Sequence, residues 1–374
     1  MPLEARQGLK GFDDDLDAQG AYFAERGHAT YAALLAAVKA RVAADDGLRA
    51  RLDAAWAART FSSLYERPLL VCASLRFGAL LDAGHPLRAV LGDEADGKAP
   101  LPDGALDAAL ADGAPAFRWL AARYVQTNET TRAVAWRLAV SALWPAGAAH
   151  APLVLVDLGC SAGLNLVGDR LPMVWRDAAG APLCLAPVGP VEARVGLDRA
   201  PVDVNDATET TWLRACLWPG QHDRLVRFDA AVRLARAATA ATEMRVEACE
   251  ATAMPAALAR ISAAHPAAFV LAYQTLMAEY LPPDARASYE AALEAWLRAH
   301  PGRAGWCRLE GAPREMRRSE LPAATDLALA GGAGVERFVL ALSEWHPSAV
   351  HVEADAMLAA RAVQSAAVAR PLVG

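Results

Sequence analysis

Asp157, Gly159, Ser161, Gly163 and Asn165 stand close together in Leu153-Val-Leu-Val-Asp157-Leu-Gly159-Cys-Ser161-Ala-Gly163-Leu-Asn165. An apolar run ends in a carboxylate and passes at once into a turn of small residues. The run suits a strand buried on both faces of a parallel sheet. Glycines at 159 and 163 remove the Cβ atoms that keep a ligand away from backbone. Ser161 and Asn165 supply a hydroxyl and a carboxamide. A helix expected at 163–171 would present free N–H groups to polar ligand atoms. Chemistry of this kind belongs to a nucleotide-type cofactor site. The dinucleotide fingerprint G-x-G-x-x-G and the phosphate loop G-x-x-x-x-G-K-[S/T] are both absent.

Ligands of an open parallel sheet bind beyond the carboxyl ends of its strands, so residues there are the next candidates. Asp198 ends the expected strand 191–197, 41 residues after Asp157. That compares with about 20 residues in the simplest nucleotide-binding units. An insertion through Trp175–Gly180, read as a hairpin, accounts for the excess. Asp198 either accepts ribose hydroxyls or caps a turn ahead of Pro201. Glu250 follows strand 244–248 and either accepts from an adenine amino group or meets a helix dipole. Tyr273 lies at the end of strand 267–273, and Glu279 and Tyr280 follow it as candidate catalytic or substrate-facing residues. A dense polar cluster, Gln126-Thr-Asn128-Glu129-Thr-Thr-Arg132, precedes the helix expected at 133–143. One N-cap uses one or two of these side chains. The surplus marks Gln126, Asn128, Glu129 and Arg132 as a substrate or lid contact.

The chain has 374 residues, 55% of them hydrophobic and 21% charged, which suffices for a sizeable core. A net charge of −6 opposes broad binding to a nucleic-acid backbone. The six cysteines include no C-x-x-C pair, so no metal site or disulfide framework is expected. No run of about 18 uncharged apolar residues marks a membrane span, and Met1–Lys10 is no signal peptide. A cytoplasmic protein without membrane or nucleic-acid partners is expected. Residues 1–148 read as all-helical. Tyr31, Leu34, Leu35 and Val38 hold helical spacing, as do Leu69–Leu81 and Phe117–Tyr124. Residues 149–374 alternate strands at 153–158, 191–197, 244–248, 267–273 and 303–309 with helices at 207–217, 221–238, 252–264 and 283–299. This is the signature of a parallel α/β sheet. Segments 336–342 and 348–353, around His346-Pro347, read as a closing antiparallel hairpin. Asp206-x-x-Glu209 has capping-box character. Trp212, Trp218 and Trp296 read as core or interface anchors. His222 and His346 read as surface or turn residues.

The acid two residues before Gly159, with the turn after it, resembles the first motif of class I S-adenosylmethionine-dependent methyltransferases. Four segments in order, Gln126–Arg132, Gly159–Asn165, Gly196–Asp203 and Trp212-Leu-x-Ala-Cys216-Leu-Trp218-Pro-Gly-Gln221-x-x-Arg224, resemble an uncharacterised bacterial family, domain of unknown function 2332. That resemblance covers nearly the whole chain. It implies a Rossmann-like class I methyltransferase sheet behind an N-terminal helical domain that serves as lid and acceptor pocket. It implies S-adenosylmethionine as cofactor and methyl transfer, with no agreed substrate; the acidic charge balance favours a small-molecule or protein acceptor, the small molecule first. Cys249-Glu250 departs from the Gly-Asp pair common there. A non-catalytic nucleotide- or S-adenosylmethionine-binding module and a nicotinamide-dependent oxidoreductase are the rival readings. Gly159-x-Ser161-x-Gly163 also matches a hydrolase nucleophile elbow, with no His following in a triad context. The acceptor, the base and the oligomeric state are open at this level.

Overall fold

The computed structural model describes residues 6–61, 63–126, 128–143, 151–173, 175–177, 185 and 188–311, and beyond these only the strands Thr325–Gly331, Leu340–Ser343 and Ala349–His351. Two compact units emerge. One comprises Met1–Asn128 with Asp206–Phe228, the other Glu129–Asn205 with Asp229–Gly374. The division differs from a single break near residue 148. Residues 129–143 join the sheet, and 206–228 join the helices.

The helical unit is built on Phe12–Glu25, Ala29–Ala44, Asp46–Trp56, Glu66–Leu81 and Ala207–Ala215, with shorter helices between them. Tyr31, Leu34, Leu35, Val38 and Val42 form one buried stripe of Ala29–Ala44. The three-and-four spacing puts them on a common face. Trp56, Phe12 and Phe61 meet edge-on, as do Phe77, Trp119 and Trp212. Buried Arg67 spends its donors on Asp15 and on the carbonyls of Gly8 and Lys10. Asp206 caps Ala207–Ala215 by accepting from Thr208 and Glu209 N–H at 2.7 and 3.1 Å. The expected capping box is only half formed, because Glu209 accepts from Arg123 at 2.6 Å. A two-residue antiparallel pair, Arg6–Gln7 with Thr60–Phe61, is the strand content that sequence alternation did not reveal.

In the sheet unit, five parallel strands are β1 (Leu153–Leu158), β2 (Val191–Asp198), β3 (Met244–Ala248), β4 (Phe269–Thr275) and β5 (Ala304–Gly311). Their spatial order is β3-β2-β1-β4-β5, all parallel. All of β1 is buried. Its alternate residues point to opposite faces. Val154, Val156 and Leu158 pack with Leu258, Ile261, Leu293 and Trp296 of helices Met254–Ala264 and Pro283–Ala299. Asp157 points the other way, toward Tyr273, whose ring lies 6.4 Å from that of Trp136 in helix Val134–Leu143. The sheet is thus covered by helices on both faces.

Beyond β5 the sheet continues differently from the two-strand hairpin expected. Thr325–Gly331, a strand that the sequence reading lacked, pairs antiparallel with β5. Leu340–Ser343 and Ala349–His351 follow outward, and Arg176–Asp177 pairs parallel with the last of these. His346, Cys184 and residues 178–180 of the insertion lie outside the described residues.

Candidate functional site

The strand order reverses at β1, and the crevice outside the carboxyl ends of β1 and β4 is the usual ligand position in an open sheet. The polar candidates of β1, β2 and β4 are brought together at that end. Asp157 is 2% exposed and accepts from Tyr273 Oη at 3.0 Å. Burial pushes its carboxyl up to about 7; the Tyr273 hydrogen bond opposes that rise and the Asp198 carboxylate adds to it. Burial likewise drives the Tyr273 phenol well above its ordinary value, so it remains a donor. Burial and the neighbouring carboxylates of Asp157 and Asp198 raise the Cys160 thiol well above its usual range, which makes it an inert core group.

Asp198 does act as a turn cap. One oxygen accepts from Ala200 N–H at 2.8 Å, and the other accepts from Ser161 N–H at 2.7 Å, fastening the β1 turn to the end of β2. A carboxylate has about four acceptor sites, so each oxygen retains capacity. The remaining turn amides are largely spent. Gly159 and Cys160 N–H donate to Leu197 O, and Gly163 N–H donates to Cys160 O.

The turn departs from the sequence reading in one element, and its side chains and glycines have packing duties. The helix expected at 163–171 is a single 3-10 turn, Leu164–Val167. Its carbonyls serve side chains instead: Trp136 Nε1 donates to Asn165 O, and Arg194 donates to Leu166 O. The glycines are needed for protein packing. A Cβ on Gly159 (φ 81°) would overlap Met277, and one on Gly163 (φ 69°) would lie 2.5 Å from Met244 Cε. Ser161 Oγ has no hydrogen-bond partner among the described residues, so no base activates it, and the elbow reading lacks its second member. Asn165 Oδ1 is likewise buried and unpartnered among the described residues.

Sequence reasoning missed the network behind β4. Gln274, fully buried, donates to Glu310 Oε1 at 2.6 Å and accepts from Tyr289 Oη at 2.9 Å and Trp306 Nε1 at 3.3 Å. Glu310 Oε1 also accepts from Ala278 N–H at 3.1 Å. Leu276 takes a left-handed φ of 54°, and Ser161 one of 53°, so two non-glycine residues in that conformation flank the crevice. A buried Glu at the end of β5 beside a buried Gln at the end of β4 was the available signal, but their pairing required the sheet order.

The other candidates follow β3 and β4 or precede β1. Glu250 is exposed and makes no side-chain cap to the turn Ala251–Ala253. Tyr280 is 55% exposed. Glu279 lies in the turn Ala278–Tyr280, its side chain outside the described residues. The polar cluster is divided. Asn128 donates to Leu213 O at 3.2 Å, and Gln126 N–H contacts Cys216 Sγ, both within the helical unit. Glu129 caps the turn Thr130–Ala133 by accepting from Thr131 N–H and Oγ1. Arg132 is buried in that turn. His222 is exposed, and Trp212 and Trp296 are buried.

Among the described residues, no group of three His, Cys, Asp or Glu is placed to hold a metal. No helix among them is long and apolar enough to cross a membrane. No curated protein matches the chain. The family pattern described as "Uncharacterized protein conserved in bacteria (DUF2332)" matches residues 14–361, and the chain belongs to that family.

Proposed function

We propose that this protein binds S-adenosylmethionine on a Rossmann-like sheet and transfers its methyl group to a small-molecule acceptor. The observation that carries the reading is Asp157. It is a buried carboxyl whose pKa is raised to about 7, set where the strand order reverses, and the turn that follows it carries Ser161 Oγ and Asn165 Oδ1, both buried and without a partner among the described residues. Such a group is an incomplete cation site, since an ammonium nearby would restore its charge. The spent amides of residues 159, 160, 161 and 163 and the absence of a following helix disfavour a phosphate ligand. That counts against the nicotinamide dinucleotide reading.

In this proposal Asp157 holds the ammonium, Ser161 and Asn165 contact the adjoining polar atoms, and Asp198 uses its spare acceptor capacity on the ribose hydroxyls. Glu250 serves the adenine amino group. When bound, S-adenosylmethionine supplies a methyl group already activated on a sulfonium. The protein then needs to align the acceptor and receive its proton, and Glu279 and Tyr280 are the candidates for that step. A reducing cytoplasmic setting suits the five described cysteines, all of them free.

The test is calorimetric titration with S-adenosylmethionine and S-adenosylhomocysteine. Micromolar binding lost in Asp157→Ala and Asp198→Ala supports the site; a folded wild type that binds neither ligand overturns it. A non-catalytic binding module is the second reading, favoured by the structural duties already borne by Asp198. Cofactor binding without turnover over a broad acceptor panel would select it.

A further inference from the structure

The segment after β4 carries an inference that rests on the cofactor reading and goes beyond it. Gly159 faces the crevice end of β1, and Met277 fills the place its Cβ would take. The flexible tip of the methionine is not the whole obstruction, because Met277 Cβ itself would lie 2.9 Å from a Gly159 Cβ. A change of rotamer therefore leaves Gly159 covered. Uncovering it requires the backbone at Met277 to move.

That backbone is held on both sides. Leu276 N–H donates to Leu309 O at 2.7 Å, and Ala278 N–H donates to Glu310 Oε1 at 3.1 Å. Glu310 is 4% exposed and is itself held by Gln274, which Tyr289 and Trp306 orient. Leu276 pays for this path with its left-handed φ of 54°. The strain at Leu276 is held by the buried Gln274–Glu310 hydrogen bonds, and a segment so held has a second arrangement into which it can relax.

We propose that Leu276–Ala278 is a strap over the strand-end site, that Met277 determines what the site admits, and that the Gln274–Glu310 pair positions the strap. A ligand that touches the Gly159 backbone must displace Met277. Glu310 acts through Ala278 and is a positioning residue.

The experiment uses the full chain and S-adenosylhomocysteine as probe. Calorimetry of Met277→Ala is expected to show affinity raised about tenfold over wild type, since only the Cβ then remains for the ligand to displace. Independently, hydrogen exchange on the wild type is expected to show the Leu276 and Ala278 amides losing protection when the probe is added. Measurable wild-type binding that Met277→Ala leaves equal or weakens, or a bound probe that leaves both amides protected, overturns the strap while the cofactor reading stands. No binding by folded wild type and folded variant overturns both.

Discussion

Asp157 makes the pH behaviour of this protein calculable. Its carboxyl is protonated up to about 7 in the folded chain, against about 3.9 when unfolded. Between those values the native state holds a proton that the unfolded state has released, so stability falls as pH rises through that window. Asp157→Asn mimics the protonated form. It is expected to flatten the decline and to be more stable than wild type near pH 8 by on the order of 4 kcal/mol. Urea unfolding at about pH 4.5 and about pH 8 measures this; parallel pH profiles for the two proteins would refute it. Tyr273→Phe removes the hydrogen bond that opposes the rise. It is expected to move the Asp157 midpoint higher, read by carboxyl-carbon NMR titration; an unmoved midpoint would show that the phenol does not govern the carboxylate.

Between the elements, a side chain from β2 reinforces the backbone hydrogen bonds of the segment after β1. Arg194 is 2% exposed and forks onto Asp169 at 2.8 and 2.7 Å, with a further donor on Leu166 O. Removing one member of a buried pair strands the other, at about 3–5 kcal/mol. Arg194→Ala is expected to lose that much in chemical denaturation, and Arg194→Lys to recover only part, since an ammonium cannot make the fork. Full recovery by lysine would mean that charge alone matters. The helix cap is a smaller effect of the same kind. Asp206→Ala removes two acceptor contacts to the first turn of Ala207–Ala215 and is expected to cost about 1 kcal/mol in the same assay.

Across the whole molecule, the division of the chain decides what a fragment can do. Helix Val134–Leu143 belongs with the sheet, where Trp136 is fully buried and donates to Asn165 O at 2.9 Å. A Cβ on Gly168 would collide with Ala133, so the two segments touch at backbone distance. A fragment beginning at residue 149 therefore removes the Trp136 cover from Tyr273, the partner of Asp157. It is expected to lose near-ultraviolet circular dichroism and a cooperative thermal transition; a sharp transition matching the full chain would show that residues 129–148 are dispensable to the sheet.

Local pattern was enough wherever an element is defined by its own residues. β1, β3 and helix Pro283–Ala299 lie where apolar runs, turn residues and Pro282-Pro283 place them. A continuous apolar run is buried from both sides whatever its neighbours are, and proline at a first turn starts a helix by its own fixed φ. The identity of the carboxylates at the strand ends was legible for the same reason. Long-range partners were not. Arg194 in mid-strand reads as a solvated charge until Asp169 is beside it. Gln274 and Glu310 read as unrelated until β4 and β5 are neighbours, and the glycines of the β1 turn read as room for a ligand until Met277 and Met244 are seen to fill it. The chain by itself determined the five parallel strands and the acids at the ends of β1 and β2. The tertiary structure decided which acid is buried and protonated, which is tied to backbone, and which loop covers the turn, because burial and pairing are properties of neighbours that sequence distance does not record.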